Sequence, residues 1–471
     1  MAEQLGFDTI KVRGGYNPAE HNKSVAVPIY QTTSFELGDV ARASRLISFS
    51  ELGFIYSRLG NPTSDVLEQR VAALDGGAAA LAVSSGMAAV TYSLLNAAEG
   101  GGRILTTPQL YGGTIDSFKK LYPKFGIGID TVANPDDLRS FESAIRKDTR
   151  GIFVESISNP NAAVADIEAI AELAHAHGIP LIVDNTFATP YLLNPISYGA
   201  DVVVYSATKG LTGHGNIIGG LIVDSGKFNW ANGKFPQFTE VAYTLRDSED
   251  RERSILDVFP QCPFTARIRL IHMCYLGAPL SPFEAYLALL GIETLSERVR
   301  KQVESTRRVV RYLEQHEKVS WVKHPSAEGS PYKKLAEKYL PNGSGSIFTF
   351  GFKGTIEQSE RFINSTKLFS YQANVGDARS LIINSPKTTH GELTESEQRS
   401  ADISPETIRL SIGLEEPNDL LADLDQAFAK AFEVDNETEA TIAAGGQTLE
   451  DSLDRVFATQ HTSLGRGAAS K

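Results

Sequence analysis

Beyond residue 60 the chain alternates short, continuously apolar runs with longer stretches in which apolar residues recur every three or four positions. The runs AALAVSS (79–85), RILTT (103–107), GIFVES (151–156), PLIVDN (180–185), ADVVVYS (200–206) and GGLIVD (219–224) are too short for helices and read as strands. Between them SDVLEQRVAALDG (64–76), GMAAVTYSLLNAA (86–98), TIDSFKKLY (114–122) and DIEAIAELAHAHG (166–178, ending at Gly178) carry helical spacing. Uninterrupted apolar strands alternating with amphipathic helices predict an α/β fold with a parallel sheet buried on both faces. Ligands of such sheets sit beyond the carboxyl ends of the strands, where the polar residues of these segments collect.

The flanks are less regular. Residues 1–60 show little periodicity around AVPIYQTTSF (26–35) and IYSRLGNPTS (55–64), although Asn61 and Pro62 supply a turn that opens a helix. The pattern blurs over 225–275, where DSEDRERS (247–254) reads as a solvated surface loop. One long helical run, 283–316, then leads into a second α/β region with strands VSWVKH (319–324) and SIFTFGF (346–352) and a closing helix over 419–432. The last stretch is small, polar and Gly/Ala/Thr-rich, a loosely attached tail with a short helix at 448–458.

Composition narrows the class. The 471 residues correspond to roughly three typical domains, or two large ones with extensions. A 42% hydrophobic and 22% charged content excludes a mostly disordered or fibrous chain. With 45 Lys+Arg against 57 Asp+Glu the net charge is −12, and no basic run is present, which argues against nucleic acid or an anionic membrane as partner. Two cysteines, Cys262 and Cys274, make neither a disulfide framework nor a zinc ligand set, and no metal is expected. The start, MAEQLGFDTIKVRGG, has charges where a signal peptide needs an apolar core, and no segment is long enough to span a bilayer, so a cytoplasmic protein is expected.

Ser206-Ala-Thr-Lys209 closes a strand that is apolar throughout. A lysine held there in a dry cleft has a lowered pKa and offers a neutral amine for a Schiff base, although taken alone such a lysine is more often an exposed loop residue. Asp184 ends another apolar strand. A buried carboxylate needs a cationic partner, and a pyridinium nitrogen is one; a Lys with an Asp is the pairing that pyridoxal-phosphate sites use. Read alone, Asp184 is equally well a helix-capping residue. SSGMAA (84–89) is strand, glycine and helix start, so the N–H groups of Gly86 and Met87 point at an anion, unless this is a simple strand–helix turn. Ser206 and Thr208 add hydroxyl donors beside them. Two other motifs fail. Gly213-His-Gly-Asn-Ile-Ile-Gly219 has GxGxxxG spacing and precedes a strand, so it is no dinucleotide fingerprint. Ser206-Ala-Thr-Lys209 also matches the S-x-x-K of penicillin-recognising hydrolases, but no SDN is present and only KTT stands at 387–389.

Together IYSRLGNPT, SSGMAA, LYGGT, LIVDNTFATPY, SATKG…GHG…GG and IRLSIGLEE resemble the Cys/Met-metabolism family of PLP-dependent enzymes, over about residues 7–432. AVPIYQTTSF, VDSGKF followed by KFPQF, NVGDARSL and RLSIGLEEPNDLLADLDQAF are similar to its O-acetylhomoserine sulfhydrylase subgroup. The resemblance implies the type I PLP-dependent transferase fold, with a mostly parallel sheet in a large domain and a smaller C-terminal α/β domain. Lys209 would bond to the cofactor's aldehyde and then move protons. Tyr111 would stack on the ring and act with Lys209 in catalysis. Asp184 would pair with the ring nitrogen, Asn159 would contact the ring-oxygen side, and Gly86, Met87, Ser206 and Thr208 would hold the phosphate. Tyr56 and Arg58 would reach a neighbouring subunit's cofactor, implying a homo-oligomer, usually a dimer of dimers. Arg409 would clamp the substrate carboxylate, with Asn374 beside it. The implied boundaries are an arm (1–62), a large cofactor domain (63–276), a small domain (277–434) and a tail (435–471).

The implied reaction is γ-replacement on O-acetyl-L-homoserine, with sulfide as the acceptor. Departures from the subgroup pattern leave a second version open, a specialised γ-substitution with a carbon or amine nucleophile in secondary metabolism. RGGYNP (13–18), Gly210-Leu-Thr after the lysine, the stretch 239–275 and INSPKTTHGEL (383–393) are the departures. Glycine in place of an aromatic at position 210 would enlarge the pocket for a bulkier acceptor. A non-catalytic binding protein on the same fold is the contrasting class, and the intact Lys209, Asp184, Tyr111 and Arg409 argue against it.

Overall fold

A computed structural model describes residues 5–241, 245–247, 249 and 251–433. The expected tail and its helix at 448–458 lie outside the described residues.

Seven strands form the first sheet: β1 (Ala79–Val83), β2 (Arg103–Thr106), β3 (Gly128–Thr131), β4 (Thr149–Glu155), β5 (Leu181–Asp184), β6 (Val202–Ser206) and β7 (Gly220–Asp224). Their order is β1-β7-β6-β5-β4-β2-β3. All neighbours are parallel except β7, which runs antiparallel to both β1 and β6. No crossover helix separates β6 from β7, so the chain turns back at the end of β6, and Lys209 lies on that turn. The apolar runs place Leu81, Ile104, Phe153, Ile182 and Val204 in the core on one face and Leu105, Val154, Val183 and Val203 in the core on the other. Burial on both faces is why these strands read as continuous apolar runs.

The helix Pro62–Asp75 begins as its turn chemistry predicts, with Asn61 accepting from the Thr63 N–H. Gly86–Ala98 matches the expected helix at both ends and is capped by Ser85, whose side chain accepts from the Ala88 N–H. The run at 283–316 is two helices, Pro282–Glu293 and Leu295–Glu314. They part at Thr294, where the Gly291 carbonyl is taken by the Thr294 N–H and by Arg298 Nη2 at 2.8 Å. The irregular first sixty residues hold the helices Phe7–Arg13 and Val40–Ile47.

The second region is a separate five-stranded sheet with its own core around Phe348, Phe350, Phe362 and Phe428. Its strands are β8 (Val319–Lys323), β9 (Ile347–Phe352), β10 (Ser370–Tyr371), β11 (Leu381–Asn384) and β12 (Thr407–Ser411), in the order β10-β11-β12-β9-β8. All pairs are antiparallel except β10 with β11. Among the described residues no helix is long and apolar enough to cross a membrane, and no cluster of three His, Cys, Asp or Glu side chains could hold a metal ion.

Candidate active site

A cavity of about 640 Å³ opens at the carboxyl ends of β4, β5 and β6. Lys209, Asp184, Tyr111, Gly86, Met87, Ser206, Thr208, Asn159, Asn374 and Arg409 all line it, drawn together from both sheets and their connections. Tyr56 and Arg58 do not. Both are exposed on the N-terminal segment, with the Arg58 guanidinium 5.0 Å from the centre of the Tyr56 ring.

Lys209 is half-buried, and its Nζ donates to Asn374 Oδ1 at 2.7 Å. Burial, and after it the charge of Arg409, pushes the amine down to about 8. The turn that carries it is pinned from behind by Arg298, a buried cation that donates to the carbonyls of Gly210 and Leu211, each at 3.0 Å. Thr208 ties the two arms of the turn together, its Oγ1 accepting from the Gly219 N–H at 3.0 Å.

Arg409 lies on β12 and is 3% exposed. Its Nη1 donates to Asn159 Oδ1 at 2.9 Å and its Nη2 to the Asn374 carbonyl at 3.3 Å. Asn374 therefore gives its side chain to Lys209 and its backbone to Arg409.

Asp184, at the end of β5, accepts the Thr186 N–H at 3.0 Å and is pushed up to about 6 by desolvation. Beside it, at the end of β4, stands Glu155, which sequence reasoning missed. Its place at the end of an apolar strand, like that of Asp184, was the available signal. His390 was missed too. It is almost fully buried on the cavity wall, and burial followed by the charge of Arg409 pushes its imidazole down to about 4.

The residues fit the implied cofactor. Two acids side by side at the strand ends suit a cationic ring nitrogen. The Tyr111 ring, 43% exposed, faces the cavity where a flat ring would stack, and a Cβ on Gly113 would come within 2.6 Å of it. The start of the helix at Gly86 presses against Ser206 so closely that a Cβ on Gly86 would lie 2.6 Å from the Ser206 Cβ. Helix N–H groups and the serine hydroxyl are thereby brought to one spot, as a phosphate requires. Gly210, by contrast, does not widen this cavity. A Cβ at this position would lie 3.2 Å from Thr189 Cγ2, which lines a small space of about 10 Å³ adjoining Lys209 and not the large cavity.

Residues 8–429 match the family described as Cys/Met metabolism PLP-dependent enzyme. The chain is 44% identical to the sulfhydrylase FUB7 of Gibberella moniliformis, over 92% of this chain and 100% of that one. It is also 44% identical to the homocysteine synthase of Schizosaccharomyces pombe, over 92% and 99%. A Campylobacter jejuni crystal structure described as an O-acetylhomoserine (thiol)-lyase, holding N'-pyridoxyl-lysine-5'-monophosphate, superposes with a TM-score of 0.86 at 38% identity, covering 90% of this chain and 100% of that one. The cavity carries the chemistry that these likenesses call for, and the chain belongs to the Cys/Met-metabolism family of PLP-dependent enzymes.

Proposed function

We propose that the protein catalyses γ-replacement on O-acetyl-L-homoserine in the cytoplasm, joining the aminocarboxypropyl group to sulfide to give homocysteine and acetate. The observation that carries this reading is one cavity holding a half-buried amine, Lys209, and a buried guanidinium, Arg409, joined through Asn374. The relative named homocysteine synthase supports the choice of product. A side chain at position 210 would be directed at Thr189, so glycine there lends no support to a bulkier acceptor.

In this reading Lys209, Asp184, Tyr111 and Asn159 hold the ring of pyridoxal phosphate, and Gly86, Met87, Ser206 and Thr208 hold its phosphate. When bound, the cofactor supplies an electron sink beside the substrate's α-carbon. Arg409 takes the substrate carboxylate in a bidentate pair, a geometry that lysine could not reproduce. With that end fixed, the Cα proton is presented to Lys209, whose lowered pKa leaves a useful fraction of free base near neutral pH. A second proton leaves Cβ, the Cγ–O bond breaks and acetate departs. Hydrosulfide then forms the new bond to Cγ, and protons return to Cβ and Cα, the last from Lys209.

The reading includes a second copy of the chain. Lys209 and Arg409 are the lysine and arginine on the cavity wall, and both are engaged with Asn374. Tyr56 and Arg58 of a neighbouring subunit would supply the further donors that a phosphate needs, in a dimer or a dimer of dimers with arms from residues 1–62. Incubating the holoenzyme with O-acetyl- or O-succinylhomoserine and sulfide, methanethiol or other nucleophiles tests the reaction. Rapid homocysteine formation from the acetyl ester is expected; acetate release only with a carbon or amine acceptor would overturn it.

A further inference from the structure

Glu155 takes no part in the reaction above, yet it is the most enclosed acid on the cavity wall, 8% exposed. It and Asp184 are register partners on parallel neighbours, so their side chains leave the sheet on the same face. Burial, and then the neighbouring Asp184, push the Glu155 carboxyl up, while the backbone N–H groups of Tyr111 and Asn159, one on each oxygen, work the other way and favour the charged form. A carboxyl in such a place needs donors. Glu155 has two: the Tyr111 N–H reaches its Oε1 at 2.6 Å, and the Asn159 N–H reaches its Oε2 at 2.8 Å.

Those donors lie on different connections. Tyr111 precedes the helix Gly112–Lys120, and Asn159 follows β4. Asn159 in turn receives Arg409 Nη1 on its side chain. A continuous run therefore leads from Tyr111 through Glu155 and Asn159 to Arg409, from the stacking ring to the carboxylate clamp. A group needed only to fill space would be apolar here, and one needed only for charge would not have both oxygens occupied. An ionised carboxylate accepts with both oxygens, whereas an amide accepts with one and turns an NH₂ toward the other donor.

We propose that Glu155 is a positioning residue whose carboxylate sets the backbone of Tyr111 and of Asn159, keeping the ring that covers the cofactor in register with the arginine that takes the substrate. The inference rests on reading the cavity as the cofactor site.

Parent, Glu155→Gln and Glu155→Asp enzymes, stripped and then titrated with pyridoxal phosphate, test it through visible absorbance and quenching of protein fluorescence. Steady-state kinetics at saturating cofactor follow. Glu155→Gln keeps the shape but sets an NH₂ against one N–H; Glu155→Asp keeps the charge but is too short to reach both. Both variants are expected to hold the cofactor about tenfold to a hundredfold more weakly. Both should raise KM for the amino-acid ester more than they lower kcat. A Glu155→Asp enzyme that matches the parent would reduce Glu155 to a charge and overturn the proposal, as would unchanged affinity and KM in both. If circular dichroism shows that Glu155→Gln has not folded, Glu155→Asp decides. A parent that takes up no cofactor would instead overturn the reading of the cavity, and this inference with it.

Discussion

Lys209 and Asn374 are 165 positions apart, yet the Nζ of one donates to the Oδ1 of the other at 2.7 Å. The amine proposed to move protons is thus held by a residue of the second region, while its backbone lies on the turn that follows β6 of the first sheet. Because Arg409 is bonded to the Asn374 carbonyl and not to its side chain, Asn374→Ala should separate the two roles. The expected outcome is a kcat lowered about tenfold with KM for the ester little changed, read by steady-state kinetics.

Cofactor attachment requires the neutral form of Lys209. With the amine pushed down to about 8, the attachment rate of stripped enzyme should climb about tenfold per pH unit below that value and level off above it. Stopped-flow absorbance measures this. Arg409→Gln removes a positive charge that contributes to the shift, so its midpoint should move upward. A parent rate that kept rising toward 10.5 would mark Lys209 as an ordinary lysine.

Arg409→Lys keeps a charge but loses the planar fork. KM for the amino-acid ester should rise by about a hundredfold, while cofactor titration remains close to that of the parent.

Asp184 carries a stability cost in the cofactor-free protein. Its folded pKa, about 6, lies above the ordinary 3.8, so the folded chain binds this proton more tightly than the unfolded one. The resulting stabilisation is complete below about pH 4 and is lost as pH rises through about 6. Asp184→Asn removes that dependence. Above pH 6, stripped Asp184→Asn should be more stable to denaturant than stripped parent by about 3 kcal/mol, while losing its hold on the cofactor.

If Arg58 serves a neighbouring subunit, pairing an Arg58→Ala chain with a Lys209→Ala chain puts both lesions in one site of the dimer and leaves the other site intact. Each variant alone should be inactive or nearly so. Mixing them through an unfolding–refolding cycle should restore about a quarter of parental activity, the share expected for one intact site in a randomly mixed heterodimer. No recovery would remove Arg58 from the neighbour's site.

Most of the first sheet was legible because both of its faces are buried, which forces its strands into unbroken apolar runs. β3, Gly-Ile-Asp-Thr, escaped notice because it is an edge strand of four residues with no such run. The direction of β7 was hidden because an apolar strand reads the same either way; only the missing crossover helix after Ser206 hints at it. Lys209, Asp184 and Arg409 could be named because each lies in a distinctive local motif. Glu155 shared with Asp184 the signal of an acid closing an apolar strand, but what sets it apart, two backbone donors from separate connections, is a property of the folded chain and not of its neighbours in sequence. The misplaced significance of Gly210 has the same origin. Adjacency to Lys209 in sequence says nothing about which side of a tight turn a residue faces.

The turn bearing Lys209 and the strand bearing Arg409 belong to two sheets with separate cores. A molecule gripped by both is a staple across the seam between two layers. A simple amine, lacking a carboxylate, grips one layer and leaves the seam unsewn. On the roles proposed for Lys209 and Arg409, selectivity for amino acids would be partly mechanical, and an inhibitor that keeps the carboxylate would bridge both layers.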